Sequence, residues 1–236
     1  MRSLWVVSAS ALALAAAPAA ARDGAWYVGG DFGAMIVEDT DFDLSNGSSS
    51  VDNGITLNHE YGYDGGLFVG YDLGAFRIEA EVAYKKASLE EFENTVVLPS
   101  SAGYHPIGSH EGAGSTSALS FMLNGMLDFG DDDGLSGFAG VGAGTARINF
   151  SEHRFAGNDG VFLDDSDSAF AWQVFAGVRR AVSQNVDVSL RYRFFNTDSV
   201  ETRTFWTPVD DAQARFRSHS LLGGITFNFG GPLPPN

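Results

Sequence analysis

The chain has 236 residues, of which 30 are acidic and 14 are basic, and it contains no cysteine. The acidic balance excludes a nucleic-acid-binding protein, because such proteins need basic patches against phosphates. The lack of cysteine excludes a disulfide scaffold, so packing and hydrogen bonding must hold the fold. Glycine (29 residues) and phenylalanine (19 residues) are both frequent, which suits a curved, closed sheet.

The first 21 residues read as a secretory signal peptide and not as part of the fold. Arg2 supplies a short charged region, residues 4–17 are apolar, and Ala19-Ala20-Ala21 fits a cleavage site. The apolar run is too short and too rich in alanine for a membrane anchor, and no later segment has about 18 consecutive apolar residues. We therefore expect residues 1–21 to be removed during export.

Eight stretches of alternating character are predicted to be β-strands. They are residues 25–37, 62–73, 76–87, 117–129, 137–150, 169–182, 186–199 and 216–229. Short connections with turn residues, such as GDDDG and SQN, alternate with four long loops at residues 38–61, 88–116, 151–168 and 200–215. This alternation is typical of bacterial outer-membrane barrels, which have short periplasmic turns and long outer loops.

The two faces of the strands decide which kind of barrel is predicted. In residues 76–85, one face is apolar and aromatic, whereas the other carries Arg77, Glu79, Glu81 and Lys85. A soluble, lipocalin-like barrel would place apolar residues inside and scattered polar residues outside. An apolar outside against lipid and a polar inside explain this pattern directly. The sequence thus predicts an all-β fold, an eight-stranded antiparallel up-and-down transmembrane β-barrel over residues 22–229.

The last strand, HSLLGGITFNF at residues 219–229, shows the alternation most clearly and ends on an aromatic residue. It is followed by GGPLPPN at residues 230–236, which cannot continue a sheet and is predicted to be a tail or linker.

In these segments the chain resembles the OmpA-type and opacity-protein-like eight-stranded outer-membrane barrels of Gram-negative bacteria. The resemblance is carried, in order, by AWYVGGDFGA, YDGGLFVGYDLG, GFAGVGAGTAR, LRYRFF and HSLLGGITFNF. It implies a location in the outer membrane, with both termini periplasmic and the long loops extracellular. It also implies contacts with outer-membrane lipids and lipopolysaccharide, with periplasmic chaperones, and with the barrel-insertion machinery. The final Phe229 resembles the signal that this machinery reads.

The Pro-rich tail resembles the linker that leads, in longer family members, to a peptidoglycan-binding domain. Because this sequence stops at the tail, peptidoglycan binding is not predicted from it.

Charged residues on the inward face predict an ion-pair network in the bore. Strands three and seven face each other across a bore just wide enough for side chains to meet. The predicted network comprises Asp31, Glu79, Glu81, Arg191 and Arg193, with Asn124 and Gln173 as further partners. Three acids against two arginines leave one carboxylate in need of another partner. We favour a plug that fills the bore over a gate in a narrow ion path, because small barrels are packed.

Aromatic residues near the strand ends are predicted to form girdles at the two membrane interfaces and not to stack against a ligand. They are Trp26, Tyr71, Tyr84, Trp172, Tyr192 and Phe227.

Neither a metal site nor a catalytic site is predicted. The acidic DTDFD at residues 39–43 lacks the glycine and the final glutamate of a calcium loop, and four of the five histidines fall in predicted loops without ligand spacing. His219 and Ser220 are neighbours in a strand and point to opposite faces, so they cannot form a base–nucleophile pair. We expect no cofactor and no enzymatic activity.

The acidic residues concentrate in the long loops, so the negative charge is predicted to lie at the cell surface. The favoured function is structural or surface-exposed: envelope integrity, adhesion or antigenic display, with host or cell-surface ligands bound by the loops. The alternatives are a narrow porin-like channel for small solutes or ions and, third, an outer-membrane lipid-modifying enzyme.

Overall fold

The computed structural model describes residues 24–45, 50–100, 103–130, 134–155, 161–202 and 211–229. The predicted signal peptide (1–21) and tail (230–236) lie outside these residues. Within them, no helix is long and apolar enough to cross a membrane. The strands are β1 (Trp26–Val37), β2 (Thr40–Ser45), β3 (Ser50–His59), β4 (Gly62–Asp72), β5 (Phe76–Asn94), β6 (Leu98–Ser100), β7 (Gly103–His105), β8 (Gly108–Phe129), β9 (Leu135–Phe155), β10 (Val161–Ala181), β11 (Val186–Thr197), β12 (Val200–Thr202), β13 (Asp211–Ala214) and β14 (Arg217–Phe229).

Eight of these strands close into a ring. The hydrogen-bonded order is β1-β4-β5-β8-β9-β10-β11-β14, every neighbouring pair is antiparallel, and β14 returns to pair with β1. The closing register runs from Trp26 opposite Phe229 to Val37 opposite Ser218. Closure leaves the ring without an unpaired edge. The predicted eight-stranded antiparallel barrel is confirmed.

The alternation in the sequence sorts side chains between the two surfaces of the ring. Along β5, exposed and buried positions alternate without a break from Phe76 to Lys85. Large apolar side chains stand on the outer surface, among them Phe32, Leu67 and Phe121 at 64%, 68% and 57% exposure. Charged side chains are buried inside it, as expected for a barrel that faces lipid and not water.

The strands follow the predictions closely at the end with the short turns and depart from them at the other end. There β5, β8, β9 and β10 run well beyond the predicted bounds, so the assignment of residues 88–116 and 151–168 to loops was wrong in large part. The sequence pattern is interrupted locally, because the β5–β8 pairing shifts register between Ser88 and Glu91. Such an irregularity changes the phase of a period-2 pattern and hides its continuation.

The other two predicted loops also contain strands. β2 and β3 form a hairpin within residues 38–61, and β12 and β13 form a second pair within residues 200–215. These four strands continue the sheet in the order β12-β13-β2-β3-β5. On the other side, the backbone N–H of Asp198, just before β12, donates to the carbonyl of Phe170 on β10 at 2.8 Å. We call this extension, made by β2, β3, β12, β13 and the far parts of β5, β8, β9 and β10, the head.

The main hydrophobic core lies inside the head and the adjoining half of the bore, which sequence reasoning had assigned to polar packing throughout. Phe42 of β2 packs edge-on against Phe150 of β9, with ring centroids 5.5 Å apart. Phe195 and Phe216 also pack edge-on, with ring centroids 6.3 Å apart. The other buried members include Met35, Val37, Ile55, Leu57, Leu89, Phe92, Ile148 and Val200.

Candidate functional site

A cluster of seven buried charged side chains occupies the middle of the bore. We call it the central cluster; its members are Asp31, Asp64, Glu79, Glu81, Lys85, Arg191 and Arg193. Arg193 of β11 is fully buried and lies 3.1 Å from carboxylate oxygens of Asp31, Asp64 and Glu81. Three carboxylates from three strands therefore share one guanidinium, whose planar donors suit several acceptors at once.

Arg191, two residues earlier on the same face of β11, links a second set of acids. Its guanidinium nitrogens lie 3.2 Å from Asp31, 3.5 Å from Glu79 and 3.7 Å from Glu81. Its guanidinium carbon also lies 4.8 Å from the ring centroid of Phe175, with two further rings within 5.4 Å. The structure thus brings together all five charged residues predicted for the bore.

Two members of the cluster were missed by the sequence prediction. The Lys85 ammonium lies 3.4 Å from an Asp64 oxygen and 4.3 Å from the ring centroid of Phe195. The alternation of strands β4 and β5 already placed both side chains inside, so their inward position was the available signal. With them the cluster holds four acids and three bases. The hydroxyl of Tyr27 also donates to Glu79 at 3.1 Å.

Amide side chains extend the network toward β8 and β10. Asn124 donates to Glu81 at 3.0 Å, and Gln173 donates to the side-chain oxygen of Asn124 at 2.8 Å. Gly142 of β9 lies between these two residues in the sheet, and a Cβ atom there would overlap the side-chain oxygen of Asn124. The glycine-rich β9 therefore leaves the space that the two amides fill.

A second ionic group, which the sequence prediction did not include, lies at the short-turn end of the bore. Arg77 is 2.6 Å from both Asp72 and Asp128. Arg179 is 3.4 Å from Asp128 and 4.0 Å from Asp187. The described bore thus contains two ionic layers followed by the hydrophobic core of the head.

The six aromatic residues predicted to form girdles all point outward in two bands. Trp26 and Tyr71 meet edge-on near the short turns, at 5.2 Å between ring centroids. Toward the head, Trp172 packs against Phe194 at 5.5 Å. Tyr84, Tyr192 and Phe227 are exposed, and so is Phe229, which lies opposite Trp26 at the barrel seam.

The histidines predicted to lie in loops are in strands instead, because the head is built from strands. His59 and His153 come together through the hydroxyl of Thr116, which lies 2.8 Å from His59 Nε2 and 3.3 Å from His153 Nε2. Burial lowers the pKa of His59 to about 4 and that of His153 to about 3, and the neighbouring His59 adds to the second shift. Both rings are therefore neutral at pH 7. Among the described residues, no group of three or more histidines or acids could hold a metal ion.

The structure places His219 and Ser220 on opposite faces of β14. Ser220 is buried in the bore. His219 points outward, where Nε2 lies 2.8 Å from Glu38 and Nδ1 lies 2.7 Å from the Tyr192 hydroxyl. The two side chains are thus separated by the wall of the barrel.

The outer surface of the head is strongly acidic. The exposed acids on it are Asp39, Asp41, Asp43, Asp52, Glu60, Glu90, Glu93, Glu111, Glu152 and Asp164. Glu91 of β5 stands directly opposite Glu111 of β8 in the sheet.

A family model described as "Outer membrane protein beta-barrel domain" matches residues 6–229. The chain belongs to this family. It is therefore an outer-membrane barrel of a Gram-negative bacterium, as predicted, with its short turns at the periplasmic end and its head at the cell surface.

The chain is also similar to individual proteins. The chain is 26% identical over 116 residues to outer membrane protein PagN of Salmonella typhimurium, a match that covers 46% of this chain and 48% of PagN. The chain thus spans about half the length of this curated relative. Among solved structures, OprG from Pseudomonas aeruginosa is 12% identical, with a TM-score of 0.58 over 88% of this chain and 98% of OprG. Neisserial surface protein A is 18% identical, with a TM-score of 0.48 over 88% of this chain and 100% of that protein.

Proposed function

We propose that this outer-membrane barrel serves as a closed, non-catalytic support that holds a rigid acidic head at the cell surface. Its role is adhesion or surface display, together with envelope integrity. The observation that carries the proposal is the filled bore, in which two ionic layers and a hydrophobic core lie one above the other. A bore filled in this way is typical of a barrel that provides structural support and does not form an open channel.

The hydrophobic core weighs against the porin-like alternative. An ion that entered from the periplasm would meet the ion pairs first and then the packed side chains of the head, such as Phe42 and Phe150. An unpaired charge in an apolar region is strongly disfavoured. Breaking an ion pair in the central cluster would therefore not by itself open a path.

The acidic surface supports a partner of basic chemistry. Like charges placed directly opposite in a sheet are destabilising, as with Glu91 and Glu111 on the head. A basic protein surface or peptide would relieve this repulsion and bind in a salt-dependent manner.

Adhesion is tested with the purified barrel in nanodiscs and an oligolysine peptide. We expect binding that weakens with added salt and falls severalfold in the double variant Glu91→Gln/Glu111→Gln. The matched control Asp164→Asn/Asp165→Asn removes the same charge from β10 and should reduce binding less. Binding that is absent, or insensitive to salt, would contradict the adhesion part of the proposal.

Channel activity is tested by single-channel recording in planar bilayers. We expect no discrete conductance from the unaltered protein or from the Glu79→Gln/Arg191→Met variant. A steady conductance from the unaltered protein would contradict the proposed closed support and would favour the porin-like alternative.

A further inference from the structure

The chain has only two lysines, Lys85 and Lys86, and their surroundings are opposite. Lys86 is half-exposed on the outer surface of β5, whereas Lys85 is fully buried in the bore. The other cations of the described bore are arginines, whose guanidinium group always stays charged in proteins. A buried lysine can instead give up its proton and act as a nucleophile. Within the described bore, Lys85 is therefore the cation that is able to form a covalent bond.

A carboxyl group lies directly in front of the Lys85 amine. Asp64 of β4 stands opposite Lys85 in the sheet, and both side chains are completely buried. Lys85 Nζ lies 3.4 Å from Asp64 Oδ1 and 4.3 Å from the ring centroid of Phe195. Among the described residues, Nζ makes no hydrogen bond. The amine and the carboxyl group are thus held close to the range of about 3–3.5 Å at which reacting atoms meet.

Arg193 and Glu81 complete the surroundings of this pair. Arg193 Nη1 lies 3.1 Å from both oxygens of Asp64, and Arg193 Nη2 lies 3.1 Å from Glu81 Oε1. One guanidinium therefore joins the two carboxyl groups, and the charge of Glu81 also acts on Lys85. Fixed donors of this kind stabilise the negative charge that develops on oxygen when a carboxyl carbon is attacked. A neighbouring carboxylate can carry the protons that such a reaction moves.

The buried position favours loss of both charges of the pair. Two charges taken out of water lose their hydration, which their mutual attraction repays only in part. Proton transfer from the ammonium to the carboxylate gives a neutral amine and a carboxylic acid. Fixed groups react as if at roughly 10⁵–10⁸ M, and a closed bore excludes the water that would hydrolyse the product. Both effects favour an amide.

We propose that Lys85 and Asp64 condense into an isopeptide bond that joins β4 to β5 inside the barrel. Nζ of the neutral amine attacks Cγ of the protonated carboxyl group. The Nζ–Cγ bond forms and the bond from Cγ to the hydroxyl oxygen breaks. Glu81 takes a proton from Nζ and delivers one to the departing hydroxyl group, which leaves as water. The reaction consumes no oxidant or cofactor, and it does not depend on the adhesion role of the head.

The test is mass spectrometry of the full barrel, purified from outer membranes, unfolded and digested with trypsin. Asp64 lies in the tryptic peptide 23–77, and Lys85 and Lys86 are the next two cleavage sites. We expect a product in which the peptide 23–77 is joined to the peptide 78–86, because a lysine in amide linkage is not cleaved. Its mass should be that of the two peptides less one water, and fragment ions should place the link between Asp64 and Lys85.

Two results would overturn the proposal. The first is recovery of the two peptides separately, each at its full mass and with cleavage after Lys85. The second is a loss of water confined to the peptide 23–77. Asp64 precedes Gly65 in the chain, so it could form a cyclic imide with its own backbone, a reaction that involves no lysine.

Variants separate the reaction from the fold. Lys85→Arg keeps a cation opposite Asp64 but cannot form the bond, so the barrel should fold and lack the joined product. Glu81→Gln removes the proton carrier and should lower the joined fraction at least about tenfold. The matched control Lys86→Arg changes the exposed lysine and should leave the joined fraction unchanged. A joined product in Lys85→Arg, or its loss in Lys86→Arg, would overturn the assignment to Lys85.

Refolding shows whether the closed barrel itself drives the reaction. Chains purified in urea from inclusion bodies should contain no joined product. Refolding of the same chains into detergent micelles should produce it without any added reagent. A joined product already present in urea, or none after the barrel has closed, would contradict a reaction that depends on the buried pair.

Discussion

Arg193 shows most clearly how single residues hold the bore together. It is fully buried and has acids on three sides, and it lies in the strand opposite the one that carries Glu79 and Glu81. Alternation along β11 predicted that it faces inward. The identity of its partners depended on which strands face one another across the closed ring, so Asp64 could not be assigned from the sequence.

Arg193→Met is expected to lower the free energy of unfolding by about 3–5 kcal/mol, because it leaves three buried carboxylates without their shared cation. Urea unfolding of the barrel in detergent micelles measures this. The control Arg147→Met removes an exposed guanidinium that contacts Ser166, and its effect should stay within about 0.5 kcal/mol. Equal effects of the two changes would show that Arg193 contributes no more than a surface arginine.

Gly142→Val is expected to destabilise the barrel by about 1–3 kcal/mol, because the added Cβ would overlap the side chain of Asn124. The same unfolding assay applies. Shortening the facing residue in the double variant Gly142→Val/Asn124→Ala should recover part of the loss. If the double variant recovers none of the lost stability, Gly142 is required for its backbone conformation and not for the space that its missing side chain leaves.

At the scale of elements, the head is the main difference between prediction and structure. Residues 88–94 continue β5 with Leu89 and Phe92 inside and glutamates outside, yet a register shift breaks the period. The β2–β3 hairpin has a similarly polar outer face, and its acids alone suggested a solvated loop. What makes these segments strands is their shared hydrophobic core, to which several strands of the ring also contribute.

Acidification is expected to weaken the head selectively through His59 and His153. Their pKa values fall to about 4 and about 3 in the folded head, against 6.5 in an unfolded chain. Above about pH 6.5 both states carry neutral rings, and stability does not depend on these groups. As the pH falls from 6.5 toward 4, the unfolded head binds protons that the folded head does not, so its unfolding free energy decreases.

Hydrogen exchange of β3 and β9 amides between pH 7 and pH 4, corrected for intrinsic rates, measures this effect. The variant His59→Gln/His153→Gln should lose the part of the pH dependence that lies between about 4 and 6.5, whereas exchange within the β1–β14 seam should change little. If the double variant keeps the same pH dependence of exchange, the loss of stability at low pH comes from the acids of the head and not from the two histidines.

At the scale of the whole molecule, closure of the ring joins the first strand to the last. Trp26 and Phe229 lie opposite each other at the periplasmic end of this seam. Phe229 is 55% exposed on the outer surface, so it contributes little to the interior. Its predicted role lies in assembly and not in stability.

Phe229→Ala is expected to reduce the amount of barrel assembled in the outer membrane of expressing cells severalfold. The stability of the same variant refolded in detergent should change by less than about 1 kcal/mol, because an outward side chain is removed without leaving a cavity. Outer-membrane fractionation and urea unfolding measure the two effects. Phe227→Ala, two residues earlier on the same face, is the control and should assemble normally.

The sequence by itself determined the eight strands, their two faces and the charged residues of the bore. Each of these follows from a period-2 pattern that a single strand displays in full. Only the tertiary structure decided that the long connections form a head and that Lys85 and Asp64 complete the central cluster. Those features depend on which strands become neighbours and in which register. Register is set by closure of the ring, to which all eight strands contribute together.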